Sequence, residues 1–180
     1  MGIACDITNP RDVEKLISKL KPDVLILSAG NFVPLVPVGE IRNWSAVRDF
    51  VQARAFGPIV AANALMKLRK KRRRFFIALA GRDTSASPKL MPYTVGNGGL
   101  WAAVRFLAKH TGIYAAYIDL PPITGTAMVK RFERVITSKE LTDLKKKSEP
   151  VSVVIRAVES ILSGRRANGT RTVLGGKGSL

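Results

Sequence analysis

Short apolar runs alternate with stretches of helical periodicity along most of the chain. Val24-Leu25-Ile26-Leu27, residues 75–80 (FFIALA) and residues 113–120 (IYAAYIDL) are nearly continuous apolar runs of strand length. Each is closed by a break signal: Ser28-Ala29-Gly30, Gly81 and Pro121-Pro122. Runs without polar alternation mark strands buried on both faces of a parallel sheet. Residues 170–174 (TRTVL) form a last short strand before Gly175-Gly176.

The segments between these runs read as helices. Val13, Leu16, Ile17 and Leu20 recur at helical spacing behind Asn9-Pro10-Arg11-Asp12. Asn9 can cap free backbone N–H groups there, Pro10 suits the first helical position, and Asp12 faces the positive end of the dipole. Lys21-Pro22 ends that helix. Further helices are expected over 43–68, capped by Asn43, over 94–109 and over 151–162, with a basic helical stretch after Pro121-Pro122. Strands alternating with helices predict an α/β fold with a doubly wound parallel sheet, here one domain over residues 1–180. Such sheets bind ligands at the carboxyl ends of their strands. Ser28-Ala29-Gly30, Ala80-Gly81 and Leu120-Pro121-Pro122 should therefore share one rim.

Charge adds a second theme. Thirty Lys and Arg against 13 Asp and Glu leave a net charge of +17, which attracts polyanions in a salt-dependent way. Its densest run is 67–74 (KLRKKRRR), which reads either as a nucleic-acid patch or as a helix C-terminus whose cations complement the dipole. Aromatic residues are not interleaved with it, so a base-stacking surface is not indicated. Cys5 is the single cysteine and His110 the single histidine. A disulfide within the chain, a multi-cysteine metal site and a His-His pair are excluded, and no metal site is expected. No uninterrupted apolar stretch is long enough to span a bilayer, and a cytoplasmic location is expected. Trp44 and Trp101 fall at helix positions expected to pack, in the core or at a dimer contact.

Six segments in order resemble the short-chain dehydrogenase/reductase family. Residues 4–8 (ACDIT) resemble its third strand, ending near an Asp that approaches adenine, and 23–30 (DVLILSAG) the strand ending in Asn-Asn-Ala-Gly. Phe56-Gly57-Pro58 resembles the middle of the long dimer-forming helix, and Tyr93 in PYTVGNGGL the helix of the catalytic Tyr-x-x-x-Lys. Residues 121–128 (PPITGTAM) resemble the Pro-Gly-x-x-x-Thr-x-Met loop at the nicotinamide end, and 172–176 (TVLGG) the last strand. The resemblance implies a Rossmann-like domain and NAD or NADP as cofactor. It also implies a small carbonyl or alcohol substrate and a homodimer built on the two long helices. Tyr93 would be the proton donor. Asp6, Ser28, Ala29, Gly30, Pro121 and Thr126 would touch the cofactor.

The departures are specific. The family's Lys position is Asn97, its Ser position falls on Ala80, and its Asn position falls on Arg54. An amide at 97 has no charge to favour phenolate, so Tyr93 is expected to donate a proton in reduction and to be a poor base in oxidation. A shifted loop would offer Ser85 in place of the missing serine. The resemblance begins at the family's third strand, so the first two strands and the Gly-rich turn are expected to be missing, as in a truncated product. Val24–Leu27 then becomes an exposed edge. Three of four catalytic positions are changed, and residues acting as a unit are rarely lost without consequence. A non-catalytic dimerisation or scaffold module and a basic polyanion-binding protein are the alternatives to an oxidoreductase.

Overall fold

The computed structural model describes residues 2–30, 36–68, 73–81, 88–132 and 138–174. Four parallel strands form one sheet in the order β1 (Val24–Leu27), β2 (Arg74–Gly81), β3 (Ile113–Leu120) and β4 (Arg171–Val173). Between them run α1 (Pro10–Leu20, before β1), α2 (Trp44–Val51), α3 (Gly57–Lys67), α4 (Met91–His110), α5 (Ala127–Phe132), α6 (Ser138–Lys147) and α7 (Val151–Leu162). The alternation and the parallel sheet are those expected from the apolar runs.

Side chains of β2 and β3 divide between two cores with period two, as a pleated strand requires. Phe76, Ala78 and Ala80, with Ile113, Ala115 and Tyr117, pack beneath Val13, Ile17, Leu65, Leu100 and Val104 of α1, α3 and α4. Ile77, Tyr114, Ala116 and Ile118 face Val153, Val154, Ala157 and Ile161 of α7. Both faces of β3 are thus dry, which explains why its sequence carries almost no polar residue. β1 departs from the expectation of two buried faces. It is the edge strand, as the missing neighbours led one to expect, and Ile26 is 45% exposed on the α7 face of the sheet, outside the core beneath that helix.

Local signals account for the element ends. The Asn9 side chain accepts from Arg11 N at 3.0 Å and Pro10 is the first helical residue, while Lys21 closes α1 in the left-handed region at φ 45°. Asn43 accepts from Ala46 N at 3.1 Å to start α2. Asn168 ties the approach to β4 down on both sides. Its Oδ1 accepts from Ala115 N at 2.8 Å and its Nδ2 donates to Ala108 O at 3.0 Å.

Two sequence expectations are corrected. Residues 4–8 form no strand: Asp6 accepts from Thr8 N and Thr8 Oγ1, both at 2.8 Å, and turns the chain into α1. Among the described residues no strand pairs with this segment, and without a neighbour an isolated strand has no ladder to join. The helix expected over 43–68 is interrupted by a π-turn at Gln52–Phe56, where Gly57 N bonds to Gln52 O. Pro58 is the cause, because it has no N–H to give to the carbonyl of residue 54 and its ring crowds that turn. Trp44 is 60% exposed on this chain, whereas Trp101 meets Tyr117 edge-on with ring centroids 5.5 Å apart.

The basic run also finds a structural use where it is described. Lys67 pairs with Glu14 at 2.5 Å, Arg74 Nη1 donates to Leu65 O and, at 3.3 Å, to Leu68 O, and Arg73 lies 4.4 Å from the Tyr114 ring centroid. Arg74 thereby satisfies orphan carbonyls at the C-terminus of α3, the dipole reading of this run. Residues 69–72 lie outside the described residues.

Candidate functional site

The carboxyl end of β2 is where the family-matched positions converge. Tyr93 lies in the first turn of α4, since that helix starts at Met91, earlier than its periodicity suggested. Its ring stacks on Phe50 of α2, with centroids 5.6 Å apart and planes 20° from parallel. Its Oη fits against the backbone of Gly81 so closely that a Cβ there would lie 1.8 Å from it. Only glycine leaves room for the phenol at this strand end.

Asn97, one helical turn on, is 1% exposed, and its Nδ2 donates to Gly81 O at 3.3 Å. Its Oδ1 is buried with no donor among the described residues. Arg54 arrives from the π-turn. It is 5% exposed, its Nη1 donates to Leu79 O at 2.8 Å, and its Nε is buried without an acceptor among the described residues. Its head fills the space under Gly30, where a Cβ would lie 2.4 Å from Nε. Among the described residues no carboxylate is within ion-pair distance of it.

This convergence depends on two helical glycines whose role the sequence did not announce. A Cβ at Gly96 would lie 2.7 Å from Phe50 Cε1, and one at Gly99 2.6 Å from Ala55 Cβ. Glycine inside a helix costs about 1 kcal/mol relative to alanine. Here it lets α4 close against the π-turn, which brings Tyr93 and Arg54 to the same strand end. The spacing of three between Gly96 and Gly99 was the available signal, since it places both on one helix face.

Electrostatics follow from the burial. Burial pushes the Tyr93 phenol above the ordinary tyrosine value, while the Arg54 charge, and after it the Asn97 amide, pull it back. Burial pushes the Arg54 guanidinium below its ordinary value, and the neighbouring Tyr93 and Tyr117 oppose that.

Other sequence candidates fall around the same rim with different surroundings. Ser28, Ala29 and Gly30 follow β1 and are exposed. Pro121 is buried at the end of β3, and Thr126 Oγ1 donates to Ile123 O at 2.9 Å at the start of α5. Asp6 is fully exposed, and the two hydrogen bonds from Thr8 hold its carboxyl below the usual carboxylate value. Ala80 is fully buried and brings no hydroxyl. Ser85 and Gly175-Gly176 lie outside the described residues. His110 is the last residue of α4, tilted against Phe106. A shallow depression beside Arg54, too small to hold a water molecule, is lined mainly by Ile7, Leu27, Ala53, Pro58 and Leu100 and reaches neither Tyr93 nor Asn97. Among the described residues no cluster of His, Cys, Asp or Glu could hold a metal ion, and no helix is long and apolar enough to cross a membrane.

No family model matches the sequence, and no curated protein matches it. Solved structures do. A 4-hydroxyisoleucine dehydrogenase mutant complexed with NADH and succinate superposes with a TM-score of 0.81 at 17% identity, covering 99% of this chain and 79% of that one. A small-chain dehydrogenase in complex with NADPH gives 0.72 at 17% identity, over 95% and 80% of the two chains. The MalC Reductase/Diels-Alderase from Malbranchea aurantiaca gives 0.78 at 16% identity, over 95% and 71%. The fold is that of the short-chain dehydrogenases. The match extends over nearly the whole of this chain, so the short-chain dehydrogenase frame covers the rim that holds Arg54, Tyr93 and Asn97.

Proposed function

We propose that this chain is a nicotinamide-dependent oxidoreductase of the short-chain dehydrogenase/reductase type, with Tyr93 Oη holding the proton exchanged with a small carbonyl or alcohol. The observation that carries this reading is the phenol seated against Gly81 at a strand's carboxyl end, in a fold shared with dehydrogenases complexed with NADH and NADPH. Ligands of open α/β sheets bind outside that end.

The residues at the rim fit a ribose. Asn97 Oδ1 is a buried acceptor that lacks a donor among the described residues, and a ribose hydroxyl is a donor of the right kind. Asp6 would serve the adenine end, Ser28, Ala29 and Gly30 the strand end, and Pro121 and Thr126 the carboxamide. When bound, the reduced nicotinamide supplies a hydride. The chain supplies the proton. Burial keeps Tyr93 protonated at neutral pH, which suits donation to an alkoxide and therefore the reduction of a carbonyl. Ala80 cannot donate to the carbonyl oxygen, so Tyr93 is the polarising donor as well as the acid. Calorimetric titration with NADH and with NADPH tests the reading: binding of either is expected, and no heat from both at millimolar concentration ends it.

A homodimer accompanies this reading. Phe56, Ile59 and Met66 stand exposed on the outer side of the π-turn and α3, and Met91, Val95 and Phe106 on that of α4. Apolar stripes on adjoining helices favour a partner surface of like kind. Sedimentation should show a dimer, and Ile59→Lys should return it to monomer.

A further inference from the structure

We propose that Arg54 is the cation that serves Tyr93, carried in from the π-turn to stabilise the phenolate left when Oη gives up its proton. The inference rests on Tyr93 being the proton-holding group.

The geometry is that of two side chains hung on one strand end. Arg54 Nη1 is bonded to Leu79 O at 2.8 Å, while Tyr93 Oη abuts Gly81 two residues along β2. Two residues of strand span roughly 6–7 Å, which bounds the separation of the two groups along the strand. Phe50 bridges them, stacked on Tyr93 at 5.6 Å and lying 6.0 Å from the Arg54 guanidinium carbon. The guanidinium is 95% buried and has no carboxylate partner among the described residues. A buried cation of this kind is costly unless an anion forms beside it. A phenol that releases its proton becomes that anion. The other described titratable group acting on the phenol is Asp119, which disfavours phenolate; Tyr117 lies near both Tyr93 and Arg54. Arg54 is the favourable charge among them.

The sequence placed an uncharged Asn97 where a cation was expected and implied that Tyr93 stands alone. The fold restores the charge from another element, at a position where the family pattern has an amide. In proton terms, Tyr93 Oη passes its proton to the substrate oxygen, the O–H bond breaks, and the resulting phenolate faces Arg54 until solvent reprotonates it. Arg54 is a positioning residue, because it acts through Tyr93.

The test is a phenolate absorbance titration of the full chain, needing neither cofactor nor substrate. Subtracting the curve of Tyr93→Phe isolates Tyr93, and the same subtraction in an Arg54→Met background gives its midpoint without the cation. The midpoint should rise by about one pH unit or more, as expected for a charge at this range in a partly screened site. Arg54→Lys should bring it most of the way back. An unchanged midpoint in folded Arg54→Met overturns the proposal. Should Arg54→Met not fold, Arg54→Gln keeps a donor for Leu79 O without the charge and gives the same comparison. Failure of both to fold assigns Arg54 to the fold alone and also overturns it. Absent dinucleotide binding would sink the oxidoreductase reading and leave this midpoint shift intact, so the two failures are distinguishable.

Discussion

Arg54 and Asp119 are buried charges at the carboxyl ends of adjoining strands, and the fold treats them oppositely. Asp119 is 1% exposed, closes β3, and accepts from Arg171 Nε at 2.6 Å. Arg171 in turn lies over Trp101 and Tyr117, 6.0 and 5.6 Å from their ring centroids. Asp119 Oδ2 is paired where it stands and that partner fastens β4 to the sheet, although Oδ1, like Arg54 Nε, is buried with no hydrogen-bond partner among the described residues. Among the described residues Arg54 has a single backbone acceptor, an orphan Nε and a phenol nearby. A paired buried charge belongs to the structure; one left open at a ligand-binding rim is a candidate for chemistry.

The largest effect expected from breaking this contrast is on stability. Asp119→Ala removes the buried ion pair with Arg171 and should lower the unfolding free energy by about 3 kcal/mol in a denaturant melt, at the low end for a broken buried pair because Arg171 is partly exposed. Arg54→Met removes an uncompensated charge for an apolar group of similar length and should change stability by about 1 kcal/mol or less. A loss from Arg54→Met as large as that from Asp119→Ala would erase the distinction.

Gly81→Ala sharpens the comparison from the other side. The added Cβ meets Tyr93 Oη, which must move away from the strand end. Overpacking of this kind costs about 1–3 kcal/mol. A thermal melt should register that loss, together with a shifted Tyr93 titration. A variant as stable as the parent with an unshifted phenol would mean the fit is loose.

The smallest effect is alkaline. Tyr93 and Tyr117 are both held above the ordinary tyrosine value by burial, with Asp119 adding to the rise at Tyr117. A folded state that keeps its phenol protons longer than the unfolded chain gains nothing from this below the unfolded value near 10, as both states are then protonated. Above it, stability falls as pH rises toward the folded values, by at most about 1.4 kcal/mol per pH unit for each group. Tyr117→Phe should flatten that decline, and a decline of equal slope in the variant would remove Tyr117 as a contributor.

Much of the fold was legible in the residues alone. The β1 and β3 runs, and the helix over 151–162, match their elements end to end, because continuous apolar runs and helical periodicity report burial directly. The site was legible only in part. Tyr93 and Asn97 could be paired by helical spacing, and Gly81 marked a strand end. Arg54 could be named as a departure from a pattern, but its burial and its place under Gly30 could not. The π-turn that redirects it arises from Pro58, and its approach to Tyr93 requires Gly96 and Gly99 to let α4 close in. The second is a contact between segments some forty residues apart.

By itself, then, the sequence determined the alternation of strands and helices, the parallel sheet and the rim on which its strand ends meet. Those follow from hydrophobic periodicity and caps, which act over a few residues. The packing of distant segments alone settled that residues 4–8 would turn instead of pairing and that a buried cation would sit near Tyr93. Those outcomes depend on which neighbours each segment meets. A charge's effect on a phenol depends on distance and dielectric, and neither is written in the order of residues along the chain.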